Sequence, residues 1–408
     1  MVLCSVGYPW WYDDCDEKIK LWEVGNHVAK QLLVIGAGSG GLILSNTVAR
    51  QLSHEIRRGE VSVTLLGDRD QYLYQPGLLY VIFDQMRVSE LFRKVRDLLV
   101  PGVTFIHDRA VKIDPKSQSV QTAGGKALAY DYLVVATGSE INPAEVPGLA
   151  EGAHWFYTMD GALKMREALH NFQGGKMVLA MGVPHKCPVA PLEFVFMFDE
   201  WARAKGIREK TEIVYSFPLN RIHNLHSVSE WAAVEFEKRG IQFEGFFNLD
   251  TVDPEKREVN SIEGTTLSYD LLVAIPPHMG AQLGPDSGLT KDVQNWLPTH
   301  RNTLQLGSYE NIFVVGDAAG LPVPKAGSVA HFEAEVLREN LVSLLTGGRP
   351  AHTYHGKSFC FIESGMDKAT YLSFDYEHPP KVTPPTQALH WFKHTYNRIH
   401  WMNLKGIV

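Results

Sequence analysis

Gln31-Leu-Leu-Val-Ile35-Gly36-Ala-Gly38-Ser-Gly40-Gly41-Leu42 decides how the rest of the chain is read. Gln31 to Ile35 is a short apolar strand, the glycines form a turn, and Leu42 through Val48 to Leu52 keeps a helical apolar pattern. Strand, glycine turn and helix in that order are the fingerprint of a dinucleotide-binding βαβ unit. Gly36 permits the tight turn, Gly38 and Gly40 let the backbone approach a pyrophosphate, and Gly41 allows close helix–strand packing. The helix N-terminus then faces the phosphates. The next strand, Val61 to Leu66, ends on Gly67 where an acid would grip the ribose, so Asp68 is the expected substitute.

Two later segments choose between dinucleotides. Tyr130-Asp-Tyr-Leu-Val-Val-Ala-Thr137-Gly138 and Asn311-Ile-Phe-Val-Val-Gly316-Asp317-Ala-Ala-Gly320 are strands running into small-residue turns. Together they resemble the FAD motifs of the pyridine nucleotide-disulfide reductase superfamily. That resemblance puts Thr137, Gly138 and Gly316 against FAD, Asp317 on its ribityl chain, and the helix opening at Gly327 and Ser328 toward the flavin ring. The bland alternative makes Asp317 a turn residue.

Ala127-Leu-Ala-Tyr-Asp-Tyr-Leu-Val-Val-Ala and Thr266-Leu-Ser-Tyr-Asp-Leu-Leu-Val-Ala-Ile look like copies of one unit. The fold class is therefore α/β, with two Rossmann-like dinucleotide-binding domains of glutathione-reductase type. The second copy opens with Lys176 to Met181 and puts Gly182-Val-Pro-His-Lys-Cys187-Pro-Val-Ala-Pro191-Leu-Glu193 where a phosphate loop belongs. Pro184, Pro188 and Pro191 lack N–H donors, and Val183, His185 and Lys186 supply bulk where close approach needs glycine. This loop is not a usable NAD site. Cys187 reads either as a small buried hydrophobe or as a reactive thiol whose pKa His185 and Lys186 lower.

At this point the chain resembles the sulfide:quinone oxidoreductases and the flavoprotein subunit of flavocytochrome c sulfide dehydrogenase. Cys187-Pro-Val-Ala-Pro191-Leu-Glu193 matches C-P-x-x-P-x-E, Ser358-Phe-Cys360-Phe-Ile-Glu363 matches the second cysteine segment, and Pro324-Lys325-Ala-Gly327 matches P-K-x-G. The resemblance implies that a Cys187/Cys360 redox pair, bridged at rest, takes electrons from sulfide. Hydrosulfide leaves a persulfide on one cysteine and a thiolate on the other, polysulfide is the product, and FAD passes the electrons to a membrane quinone. It further implies Lys325 as a charge beside the flavin. Apart from the resemblance, Phe359, Phe361, Tyr371, Phe194, Phe196 and Phe198 are available to stack on a quinone ring, or belong to the core. Glu193 and His185 are candidates for moving protons; Glu193 reads equally as a first-turn helix acid. His331 and Glu335, one turn apart, read as plain helix surface. His154-Trp-Phe-Tyr157-Thr158 lacks the cysteine that binds flavin covalently in many relatives, so FAD is expected to be non-covalent. The alternatives are a sulfide dehydrogenase flavoprotein donating to a haem partner, a type II NADH:quinone oxidoreductase-like enzyme, and a thiol–flavin redox sensor.

Composition bounds the rest. With 45% apolar and 21% charged residues, the 408-residue chain is globular and multidomain. A net charge of −7 argues against nucleic acid, and no zinc-type Cys or His spacing is found, so no metal is expected. Residues 1–30 form an acidic extension holding Cys4 and Cys15, without the pattern of a signal peptide. Residues 31–150 and 300–345 are assigned to the FAD domain, 151–299 to the second Rossmann-like domain, and 346–408 to a C-terminal membrane and quinone module. In that module Leu389, Phe392, Tyr396 and Ile399 recur at helical spacing among Trp391, Trp401, Lys393, Arg398 and Lys405, as an interfacial amphipathic helix requires. Pro379 to Pro385 suits a hinge before it. The protein is thus expected to be peripheral on a membrane, with the side open; the competing partners for the tail are the protein's own body or a second copy in a homo-oligomer.

Overall fold

The computed structural model describes residues 29–407; the expectations placed on Cys4, Cys15 and most of the extension fall outside the described residues. The chain runs β1 (Lys30–Ile35), α1 (Ser39–Gln51), β2 (Val61–Gly67), β3 (Val103–His107) and β4 (Tyr132–Val135). It continues into β5 (Gly175–Met181), α2 (Ala190–Ala204), β6 (Thr211–Ser216), β7 (Gln242–Glu244) and β8 (Leu271–Ile275). It then returns as β9 (Ile312–Val314) and α3 (Gly327–Leu345), and ends in the hairpin β10 (Ser358–Glu363) and β11 (Ala369–Phe374) followed by α4 (Gln387–Leu404).

Two parallel sheets result, ordered β9-β4-β1-β2-β3 and β7-β6-β5-β8. Their inner strands are apolar on both faces because both faces are covered; Met177 to Met181 are all buried. The repeated Tyr-Asp pair has a shared physical task. Asp131 accepts the amide of Gln31 at 2.7 Å and Asp270 accepts the amide of Lys176 at 2.7 Å, so each copy caps the first strand of its own sheet. Beyond these strands, Ser139–Ile141 and His278–Gly280 pair antiparallel and clasp the two halves.

The C-terminal helix is not free on a proline hinge, which corrects the sequence reading of Pro379 to Pro385. Pro380 is buried and its carbonyl accepts Ser227 Oγ at 2.7 Å. α4 itself is tied to the first unit: Asn46 donates to the Leu404 carbonyl at 2.6 Å, and Arg50 to that of Lys405 at 2.8 Å. Tyr72 Oη lies 2.7 Å from His400 Nε2. Among the described residues, no helix is long and apolar enough to cross a membrane.

Candidate active site

The glycine loop behaves as its three roles demand. A β-carbon on Gly36, whose φ is +109°, would lie 2.3 Å from the Ala136 carbonyl oxygen, and one on Gly41 would lie 1.9 Å from that of Gly36. A β-carbon on Gly38 would meet nothing within 4 Å, and the same is true of Gly138 and Gly327. Thus the first and last glycines are required by packing, while the middle one borders open space beside the carboxyl ends of β1 and β4. Neither α1 nor α3 has a side-chain cap, so their first amides are open to an oxygen ligand. Gly40 packs toward Val315, and Asp68 is exposed one residue past β2. Asp317 accepts Ser139 Oγ at 3.1 Å, and Ser328 Oγ donates to the Phe359 carbonyl at 2.7 Å. A buried acid that sequence reading missed, Glu333, accepts the Gly316 amide at 2.5 Å and leaves Oε1 without a partner. Burial pushes its carboxyl up to about 8. The open cradle fits a phosphate-bearing cofactor.

The second loop is filled instead of open. A β-carbon on Gly182 would lie 2.5 Å from Pro277 Cδ, and the Pro184 carbonyl accepts the His278 amide at 2.7 Å. Cys187 closes the turn into α2 with φ of +51°, in the left-handed region that a β-carbon disfavours. Its amide donates to the Lys325 carbonyl at 2.9 Å, which joins the thiol loop to the loop that opens α3. Cys360 lies in β10, which packs on α2, and belongs to the apolar cluster against which Cys187 also packs. Both are free thiols in this structure.

The expectation that His185 and Lys186 lower the thiol pKa is reversed. Burial, with a second push from Glu193, lifts Cys187 up to about 12, against weaker help from the Ala190 amide, Lys393 and Lys186. Cys360 is raised by burial and by Cys187 beside it. Lys186 is turned away, donating to Gln75 Oε1 at 2.7 Å with Asp317 at 4.0 Å. His185 is pushed down by burial, so its ring is neutral, and Nδ1–H meets the Lys186 carbonyl at 3.1 Å. Lys325 is likewise engaged: its ammonium donates to the carbonyls of Asp317 and Ala319 at 2.8 Å and covers the Trp296 ring at 3.8 Å. It therefore holds the loop that receives Cys187.

Glu193 does lie in the first turn of α2, but its buried side chain serves a network. Oε1 accepts Lys393 Nζ and the Glu363 amide, the latter at 2.8 Å. Glu363 in turn accepts Tyr80 Oη at 2.7 Å. Burial raises the Glu193 carboxyl. Burial alone would depress Lys393, yet Glu193, Tyr80 and Glu363 together hold it well above the usual lysine range. The periodicity of the tail places Lys393 on its polar face; in the fold it is 9% exposed and faces the protein. Tyr80, Glu363 and Lys393 carry no local signal, since the contacts that define them span 170 to 283 residues.

Strand alternation separates two chemistries on β10. Cys360 points one way and Phe359 and Phe361 the other, where Phe361 stands opposite Tyr371 on β11. The rings of Phe359, Phe361, Tyr371, Phe392 and Tyr396 lie within 6.4 Å of one another in successive pairs. Phe194, Phe196 and Phe198 are 0% exposed and belong to the core of the second unit, not to this cluster. On α4, Lys393, Asn397 and Asn403 face inward while Trp391, Phe392 and Met402 are exposed, Trp391 at 70%. His331 Nε2 lies 3.3 Å from Glu335 Oε1 along α3.

The pyridine nucleotide-disulphide oxidoreductase family model matches residues 30–334. The mitochondrial sulfide:quinone oxidoreductase of Mus musculus is 24% identical over 367 residues, covering 87% of this chain and 80% of that protein. Its counterpart in Dictyostelium discoideum is 26% identical over 358 residues, covering 85% and 78%. The sulfide:quinone oxidoreductase structure from Aquifex aeolicus superposes with a TM-score of 0.82 at 21% identity, over 93% of this chain and 92% of that one.

Proposed function

This chain belongs to the pyridine nucleotide-disulphide oxidoreductase family, and from that premise we propose that it oxidises sulfide through Cys187 and Cys360 and delivers the electrons to a quinone. It uses a flavin cofactor; the finer reading is non-covalent FAD, with the Gly36–Gly41 loop on the pyrophosphate and Asp68, Thr137, Gly138, Gly316, Asp317, Gly327 and Ser328 along the rest. When bound, the flavin accepts two electrons from the thiol pair and releases them to quinone. The observation that carries the reading is the Cys187 amide on the Lys325 carbonyl, which couples the thiol loop to the flavin-side loop.

The steps assigned to the protein follow from its chemistry. Hydrosulfide attacks one sulfur of the Cys187–Cys360 bridge, the S–S bond breaks, and one cysteine holds a persulfide while the other leaves as thiolate. A second hydrosulfide takes the sulfane sulfur, and the bridge re-forms as two electrons leave. Thiolates are costly in this apolar pocket, so the Ala190 amide and the ammonium groups of Lys393 and Lys186 ease the charge on Cys187. Glu193 and His185 are assigned the proton transfers. Phe359, Phe361 and Tyr371 offer flat apolar faces to a quinone on the side of β10 away from Cys360. The exposed Trp391, Phe392 and Met402 suit peripheral docking on a membrane, each worth about 1.5–3 kcal/mol if buried in lipid. Residues 31–150 with 300–345, 151–299, and 346–408 are proposed as the flavin, thiol-loop and quinone units.

Steady-state reduction of decylubiquinone by sulfide tests the proposal. Many turnovers per protein are expected; a single stoichiometric reduction that then stops would mean a thiol–flavin sensor.

A further inference from the structure

His390 and His394 are four residues apart on α4, so their rings rise from one face of the helix, with centroids 4.4 Å apart. Below them Glu363 comes from the last position of β10 and is fully buried. His390 Nδ1 lies 2.9 Å from Glu363 Oε2, and His394 Nε2 lies 4.0 Å from Oε1, beyond hydrogen-bond reach. One ligand atom from each of the three residues falls within 4.8 Å of the others.

We propose that Glu363, His390 and His394 form a binding site for a divalent transition metal ion of the zinc class. A tetrahedral ion held at about 2.0–2.2 Å by two imidazoles and a carboxylate sets its ligand atoms roughly 3.3–3.5 Å apart. The three ligand atoms lie within 4.8 Å of one another, wider than that spacing, so side-chain rotation that brings both imidazoles to one carboxylate oxygen closes the site. The donor set selects the ion: two nitrogens and one carboxylate suit zinc, whereas calcium and magnesium require mostly oxygen ligands. The fourth position is left for water, because His390 and His394 both reach the surface beside the exposed Trp391.

The surroundings supply what a metal site needs beyond its ligands. Tyr80 Oη donates to Glu363 Oε1 at 2.7 Å and fixes the carboxylate with Oε2 toward His390. The Tyr80 ring also meets the edge of His394 at 5.0 Å, which restrains that imidazole. Lys393 lies 3.7 Å from Oε1, but it is shared with Glu193. Glu363 is shared with the Glu193–Lys393 network whose charges act on Cys187, so the site is read by metal binding and not by turnover.

The test uses the full chain with flavin bound, treated with chelator and then titrated with Zn²⁺ against a chromophoric chelator. In parallel, Co²⁺ is added and visible absorption is recorded. One equivalent of Zn²⁺ is expected, together with the intense d–d bands of low-coordinate Co²⁺. His390→Gln and His394→Gln should each weaken binding by more than the roughly 10–100-fold typical of losing an outer-shell partner, and the double variant should abolish it, as should Glu363→Gln if it folds. His378→Gln, at an exposed histidine paired with Asp375, should change nothing. Circular dichroism and flavin absorbance establish that the variants are folded. Equal Zn²⁺ affinity in wild type and the His390/His394 double variant, or no saturable binding in wild type, would overturn the proposal.

Discussion

The two strand–loop–helix corners of this protein share a frame and differ in what fills it. Both begin on a strand whose opening amides are held by the aspartate of a Tyr-Asp pair, and both lead from a parallel sheet into a buried helix. At Gly36–Gly41 the loop is stripped of side chains, and its middle glycine faces open space. At Gly182–Pro191 it carries prolines and a thiol, and folds back on Pro277 and His278. A dinucleotide corner therefore owes its fold to strand and helix, and its ligand to which backbone amides are left uncovered. Once the amides are covered, the same carboxyl edge of the sheet presents a side chain instead.

The largest effect should come from the side chain that replaces the nucleotide. Cys187→Ser or Cys360→Ser should slow sulfide-driven flavin reduction by about 10³-fold or more, with flavin content unchanged, as measured by stopped-flow absorbance. Next is the stripped loop. Gly41→Val forces a β-carbon onto the Gly36 carbonyl and should abolish flavin retention after gel filtration, whereas Gly182→Ala should destabilise by about 1–3 kcal/mol while keeping flavin. The filled loop also governs acidity. Because burial raises Cys187 to about 12, its alkylation by iodoacetamide in the reduced protein should climb about tenfold per pH unit from roughly pH 7 to 9. A plateau below about pH 9 would mean the neighbouring cations win.

A pH-dependent effect concerns Glu333, which accepts the Gly316 amide. Its folded pKa is raised to about 8, so the folded state binds more protons than the unfolded chain between the ordinary glutamate range and about pH 8. This contribution to stability is full at low pH and is lost as pH rises through about 8, by up to about 1.4 kcal/mol per pH unit. Thermal melts of Glu333→Gln between about pH 5 and 8.5 should show a flatter profile than wild type.

Features written in contiguous residues are legible in the sequence itself. The fingerprint at Gly36–Gly41, the duplicated Tyr-Asp strands and the turn after Met181 depend on local order, and the parallel sheets follow from them. The thiol pair is readable through spacing patterns, but not the environment that sets its acidity. Lys186 is adjacent to Cys187 in sequence, yet its ammonium is directed to Gln75 and Asp317. The Glu193–Lys393–Glu363 network joins α2, α4 and β10, so no window of sequence contains it. α4 is partly legible for a related reason: its apolar periodicity marks an interfacial face, but only the fold shows that the polar positions Lys393, Asn397 and Asn403 are buried on the other side. Long-range ion pairing can decide which face of a mixed helix turns inward.

In the proposed function the filled loop exchanges a nucleotide for sulfur as the source of electrons. Anaerobic stopped-flow mixing of the flavin-loaded protein separately with sulfide and with NADH, followed by decylubiquinone, tests it most directly. Rapid flavin bleaching by sulfide alone, recovery with quinone, and loss of the bleaching step in both cysteine variants are expected. Bleaching by NADH that persists in Cys187→Ser and Cys360→Ser would contradict it.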